Sequence, residues 1–232
     1  MADKALVRLR GKYIVFDGID GAGKGAQLAR LTQQLADAGI ETILARDPGG
    51  TPIGDRIRHV LLDFDLSAMD VRCEAFLFMA SRAQLVTQVI GPALSAGKTC
   101  LGDRFVSATC AYQGAAGFDP RRVVELAKFA IGDQWPHLTI VLDVPLAAGL
   151  ERTKRPVNNK KSEATGDRHP TLFHDVHPDA MESRPMDFHQ RVRELFLELP
   201  KYYPAPVAIV DGVGSVDEVQ ARVMEAIAHA AL

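Results

Sequence analysis

Between residues 18 and 24 the chain reads Gly-Ile-Asp-Gly-Ala-Gly-Lys, and no other stretch restricts the possible folds as much. Small residues let a backbone wrap closely around an anion, and a helix starting there adds the positive end of its dipole. The flanks agree. Upstream, Tyr13–Phe16 is a short apolar run with a β-branched centre and reads as a buried strand. Downstream, Leu28, Leu31 and Leu35 recur at helical spacing until Gly39, and Ile40–Leu44 is a second strand candidate. Strand, glycine loop, helix and strand is how a parallel α/β sheet opens.

The loop, Gly18, Ile19, Asp20, Gly21, Ala22, Gly23 and Lys24, matches the GxxxxGK part of a phosphate-binding loop. In that pattern the lysine reaches the β and γ phosphates of a nucleotide. A plain strand-to-helix turn would use similar glycines, but it would not need Lys24 at this place. A dinucleotide-binding fingerprint is disfavoured too, because it leaves Lys24 unexplained and no acidic residue ends the second strand. The pattern normally closes with a Mg²⁺-binding Ser or Thr, whereas Gly25 and Ala26 follow here. Mg²⁺ would then sit among phosphates, waters and a carboxylate elsewhere. The alternative is a loop that binds nucleotide and transfers poorly.

Further along, residues 53–62 carry a helical rhythm, and a longer helix is predicted over about 70–96, broken or ended near Gly91-Pro92 and Gly97. Lys98–Gly102, Thr139–Val144 and Val207–Val210 read as strands. Arg121–Ala130, 147–153, Met186–Leu199 and Val216–Ala230 read as helices. No repeat or linker divides them, so one domain over 1–232 is expected, with the strand order left open. Twenty-seven Lys and Arg against twenty-nine Asp and Glu argue against nucleic acid as a partner. Cys73, Cys100 and Cys110 form neither a metal-ligand spacing nor a disulfide framework. With no apolar run of membrane-spanning length and no secretory leader, a soluble, cytoplasmic chain is expected, without a membrane partner.

A second set of residues is directed at anions. Arg46 opens RDPGGTP directly after the second strand and offers a bidentate fork to phosphate; Arg58 lies one helix later. Phe78 and Arg82, four apart, share a helix face suited to stacking on a base and reading its edge, or else to core packing. Asp103 and Arg104 close a strand, as a metal or phosphate clamp or as a structural ion pair. Tyr112 and Gln113 follow.

Together, FDGIDGAGK, RDPGGTPIGDRIR, LFMASRAQ and DRFVSATCAYQG resemble the four main signatures of the thymidylate kinases, in order. LDVP and FHQRVRE extend the resemblance over nearly the whole chain. It implies a three-layer P-loop NTPase fold, α/β with a central parallel sheet flanked by helices. The implied reaction transfers the γ-phosphoryl group of ATP to dTMP, giving dTDP and ADP, with ATP and Mg²⁺ required and a homodimer as the usual assembly. By the family's pattern, Lys24 and the backbone of Gly18 to Ala26 hold the ATP phosphates. Asp20 faces the acceptor or its Mg²⁺, and Asp103 acts through the metal and water. Arg46, Arg104 and Arg58 arrange the acceptor phosphate. Phe78 stacks on thymine, Arg82 contacts its polar edge, Tyr112 lies under the deoxyribose and Gln113 lies nearby.

A mobile lid is expected at about 151–180, rich in Lys and Arg, with Arg152 and Arg155 as candidate catalytic arginines and Arg168 behind them. His169, His174 and His177 read as exposed loop residues. Departures from the pattern are Gly25 and Ala26, Ser81 for a common Asp, Ala108 for a Ser, Cys110 for a Gln and Ala180 for an Arg. They bear chiefly on the acceptor. A kinase for another pyrimidine or modified monophosphate, or a nucleotide-binding relative with little activity, is the alternative.

Overall fold

The computed structural model describes residues 2–62, 68–153 and 184–232. Five parallel strands form one sheet in the order β2-β3-β1-β4-β5. They are β1 (Tyr13–Asp17), β2 (Thr42–Arg46), β3 (Thr99–Asp103), β4 (Leu138–Asp143) and β5 (Val207–Asp211). Every position of β1 is buried, as a central strand covered on both faces requires. Parallel pairing sends all the strands' carboxyl ends to one edge, where open α/β sheets build their sites. The register aligns Phe16 with Asp103, Arg46 with Asp103, and Asp17 with Val141 along that edge.

The connecting elements are α1 (Ala2–Val7), α2 (Lys24–Asp37), α3 (Pro52–Leu62), α4 (Val71–Leu85), α5 (Gly91–Ser95), α6 (Val106–Ala115) and α7 (Pro120–Ile131). They continue as α8 (Leu146–Thr153), α9 (Met186–Glu198) and α10 (Val216–His229). On α2, Leu28, Leu31 and Leu35 form the buried stripe, and the helix packs against α10 and the sheet. A Ser215–Glu218 capping box starts α10. Its last turn accepts two hydrogen bonds from Arg8, which follows α1. On the other side α4, α6, α7 and α9 pack in a connected group, with α9 against β4.

All five expected strands are present, with shifted ends. The second runs Thr42–Arg46 because Ile40 is taken up in capping α2, its N–H bonding the Leu35 carbonyl 2.9 Å away beside the left-handed Gly39. This puts Arg46 at the strand's end instead of after it. The long helix expected over about 70–96 is not broken at Gly91-Pro92. It passes through a π turn at Val86–Ile90, and Pro92 falls in the first turn of α5, where a missing N–H is tolerated. The chain leaves that helix at the left-handed Gly97. Two helices have no counterpart in the sequence reading. α1 has only six residues, and α6 is buried at eight of ten positions, so it shows no one-sided stripe. Among the described residues no helix is long and apolar enough to cross a membrane. The expected lid, apart from Glu151 to Thr153, lies outside the described residues up to 183, and so do Arg155, Arg168, Ala180 and the three histidines.

Candidate active site

The glycine loop is shaped by its neighbours. At Gly18, φ is +129° and a Cβ would lie 2.5 Å from the Leu142 carbonyl oxygen of β4. At Gly21, φ is +74° and a Cβ would come within 2.0 Å of the Gly149 carbonyl of α8. Both positions therefore need glycine for conformation and for space. Gly23 caps α2 without any side-chain bond, which leaves the first N–H groups of that helix open toward the loop. Lys24 Nζ donates to the carbonyls of Gly18 at 3.1 Å and Ile19 at 3.0 Å, and lies 3.8 Å from Asp20 Oδ1. Burial, helped by the nearby Arg104 charge, pulls the Lys24 pKa below the ordinary lysine value.

Arg104 organises the centre. Its backbone is left-handed at φ +65°, a conformation rare outside glycine that concentrates at functional sites. Its N–H bonds the Phe16 carbonyl at 3.0 Å, which locks the turn after β3 to β1. Nη1 donates to Asp17 Oδ1 at 3.2 Å and the Gly18 carbonyl at 3.1 Å. Nη2 donates to Asp20 Oδ1 and, at 3.2 Å, to the Tyr112 hydroxyl, and the guanidinium stands 5.0 Å over the Tyr112 ring. Tyr112 in turn donates to Asp20 Oδ2 at 2.8 Å, and Ser107 Oγ donates to Asp17 Oδ2 at 2.7 Å.

Three carboxylates meet two cations here, and environment separates their behaviour. For Asp20, burial disfavours charge, but Arg104, Lys24 and the Tyr112 hydroxyl outweigh it and hold the carboxyl down at about 2. For Asp17, burial wins and its pKa rises above the ordinary value despite Arg104 and Ser107. Burial also pushes the Tyr112 phenol well up, so it remains a protonated donor. Asp103 is half-buried, and its buried Oδ1 has no hydrogen-bond partner among the described residues.

The second set of residues forms a separate polar knot. Arg82 is 1% exposed. Its Nε donates to Asp47 Oδ2 at 2.6 Å, Nη1 to Thr109 Oγ1 at 2.8 Å and Nη2 to the Phe105 carbonyl at 2.8 Å. Half-buried Phe78 lies beside it, the guanidinium carbon 5.5 Å from the ring centroid. The turn after β2 is fixed from several sides. Gly49 N–H bonds Ser81 Oγ at 3.1 Å, Arg58 Nη1 bonds the Pro48 carbonyl at 3.2 Å, and Asp47 N–H bonds the Asp103 carbonyl at 3.2 Å. Ser81, where the resemblance leads one to expect an Asp, thus serves the backbone of this turn. Half-buried Arg46 ends β2 at the same sheet edge.

Gln113 is buried and its amide Nε2 donates to Glu74 at 3.0 Å. Arg152 points its guanidinium at main-chain carbonyls, Gly21 at 3.4 Å and Gly212 at 3.3 Å, bridging the glycine loop to the turn after β5. Sequence reasoning passed over Asp17, Ser107, Asp47, Thr109, Glu74 and Gly149. Asp17 carried a signal, a charged residue closing an apolar strand directly before the loop. Thr109 and Glu74 show their roles only through long-range partners.

Two outcomes follow from this geometry. Gly21→Ala should abolish ATP binding in a calorimetric titration, and Gly149→Ala, whose Cβ would meet the Asp20 carbonyl at 2.7 Å, should weaken it about tenfold or more; wild-type affinity in both would contradict the close approach. Arg104→Met should raise the Asp20 pKa from about 2, read by carboxyl-carbon NMR during an acid titration. In the wild-type protein the Asp20 pKa is depressed. Its stabilising contribution is therefore full above the unfolded carboxylate pKa and is lost as pH falls toward about 2.

A family model described as thymidylate kinase matches residues 16–223. Among curated proteins, the thymidylate kinase of Nitratidesulfovibrio vulgaris is 39% identical over 216 residues, covering 93% of this chain and 95% of that protein. The thymidylate kinase of Desulfosudis oleivorans shows the same identity and coverage, and that of Geobacter sulfurreducens is 39% identical over 208 residues, 89% and 92% of the two chains.

Proposed function

The chain belongs to the thymidylate kinase family, and we propose that it transfers the γ-phosphoryl group of ATP to the 5′-phosphate of dTMP, giving dTDP and ADP. The observation that carries the reading is the Arg104 fork, poised between the glycine loop and Tyr112 with its charge balanced by Asp17 and Asp20. An acceptor phosphate oxygen attacks the γ-phosphorus while the bond to the β-γ bridging oxygen breaks, and ADP leaves with that electron pair. The attacking group is already an anionic phosphate, so alignment and charge neutralisation do most of the work and no strong base is needed.

In this mechanism Lys24 exchanges the Gly18 and Ile19 carbonyls for the nucleotide's β and γ oxygens. The open N–H groups at the start of α2 take the remaining phosphate oxygens. Arg104, with Arg46 and Arg58 at the same side, receives the acceptor phosphate. Asp20 stays ionised throughout the neutral range and Tyr112 stays protonated, so the pair keeps one hydrogen-bond pattern during turnover. Phe78 offers the base a face, and Arg82 reaches it from a guanidinium already fixed by Asp47, Thr109 and the Phe105 carbonyl.

Mg²⁺, when bound, neutralises phosphate charge. The buried Asp103 Oδ1, without a hydrogen-bond partner among the described residues, and Asp20, whose charge like that of Asp103 acts on Lys24, are the donors that would hold it, with Gly25 and Ala26 contributing no side-chain ligand.

We further propose one catalytic domain over 1–232, working in the cytoplasm on small nucleotides. A second copy would cover the helical side where Phe129 is 92% exposed on α7 and Phe76 is exposed on the adjoining α4.

The test is ADP production with ATP and Mg²⁺ across dTMP, dUMP, UMP, CMP, AMP and GMP. Selective turnover of dTMP, abolished in Lys24→Ala, is expected. A Cβ at Gly25 meets nothing within 4 Å, so Gly25→Thr should fold normally and reach half-maximal rate at lower Mg²⁺. Preference for another monophosphate would move the acceptor assignment, and no turnover with any acceptor would sink it.

A further inference from the structure

Glu74, Phe78 and Arg82 recur at intervals of four on α4 and so share one face. That face is joined to α6 at both ends. At one end Arg82 bonds Thr109 and the Phe105 carbonyl. At the other, Glu74 is 3% exposed, and its two carboxylate oxygens are divided between two elements. Oε2 accepts from Gln113 Nε2 of α6 at 3.0 Å, and Oε1 accepts from Nη2 of Arg184, two residues ahead of α9, at 2.6 Å. The Arg184 guanidinium carbon also lies 4.8 Å from the Phe188 centroid, and the Phe188 ring is 6.3 Å from that of Tyr112. A buried carboxylate bonded in this way is held in place far more firmly than a surface pair, because losing either partner leaves charge uncompensated.

We propose that Glu74 is a positioning residue for the acceptor nucleotide. Through Gln113 it sets the distance between α4 and α6, and through Arg184 and Phe188 it sets the approach of α9 to Tyr112. Phe78 lies between the two joints on α4, and Tyr112 stands on α6 next to Gln113, so the α4–α6 spacing fixed by Glu74 is the spacing between the elements that carry the two rings. The inference rests on the reading that Phe78 and Tyr112 flank the acceptor nucleoside. The charge on Glu74 matters as much as its shape. A neutral side chain keeps a hydrogen bond to Gln113 but no longer holds the Arg184 guanidinium.

The experiment is steady-state kinetics of Glu74→Gln, Arg184→Gln and the double variant, with dTMP and ATP varied separately. Each single change should raise KM for dTMP about tenfold, while KM for ATP moves less than about twofold and kcat at saturating dTMP stays within about threefold. The double variant should be no worse than the weaker single, because both break one joint, and Arg184→Lys should recover part of the loss. An unchanged dTMP KM in Arg184→Gln, an equal rise in both KM values, or effects that multiply in the double variant would overturn the proposal. If Glu74→Gln fails to fold, the two half-exposed Arg184 variants decide alone. Failure of the wild-type chain to phosphorylate any monophosphate would refute the activity itself, which separates the two failures.

Discussion

The Arg104 guanidinium is the interaction on which the rest of the site depends. It ties the end of β3 to the end of β1, the glycine loop and α6, and supplies the positive charge that lets Asp17 and Asp20 be desolvated together. A left-handed arginine costs roughly 1–3 kcal/mol of backbone strain, which only an over-determined surrounding can hold. Here its N–H is bonded to β1, its fork is bonded to three side chains and a carbonyl, and its flat face lies on Tyr112. Removing the guanidinium would leave buried Asp17 with its Ser107 hydrogen bond and half-buried Asp20 with Tyr112 and the Lys24 ammonium 3.8 Å away.

Around this centre the backbone is packed without slack. The glycine loop touches the β4 carbonyl of Leu142 and the α8 carbonyl of Gly149 at distances that admit no side chain. Arg152 adds a bridge from the loop to Gly212 beyond β5. The anion-binding backbone is thus held by β1, β4, α8 and the turn after β5 before any nucleotide arrives. Phosphoryl transfer gains most from this kind of preorganisation, since the protein stabilises charge and alignment instead of supplying a strong base. The Arg82 and Glu74 joints extend the same principle to α4, with the half-buried Phe78 ring between them.

Much of this was legible in the chain. The apolar run before Gly18, the leucine stripe after Lys24 and the Asp103-Arg104 pair closing a strand are local signals, and each falls where local physics places it. Strand order was not legible, because several parallel orders satisfy the same alternation of strand and helix. Helix α6 left no periodic trace since neighbours cover it on nearly all sides. Arg82 and Arg152 read as arginines reaching for ligands. What sequence could not reveal is that Asp47, thirty-five residues away, fixes the first, and that two main-chain carbonyls receive the second. Glu74 gave no signal at all, being a single acid on a largely apolar and basic helix until Gln113 and Arg184 close on it from distant parts of the chain.

The most direct test is calorimetric binding of dTMP to Arg104→Lys, which keeps the charge and removes the planar fork. The account predicts a folded protein whose dTMP affinity falls about tenfold or more, because a single ammonium cannot serve Asp17, Asp20 and an acceptor phosphate together. Wild-type affinity in that variant would contradict it and reduce Arg104 to one positive charge among several.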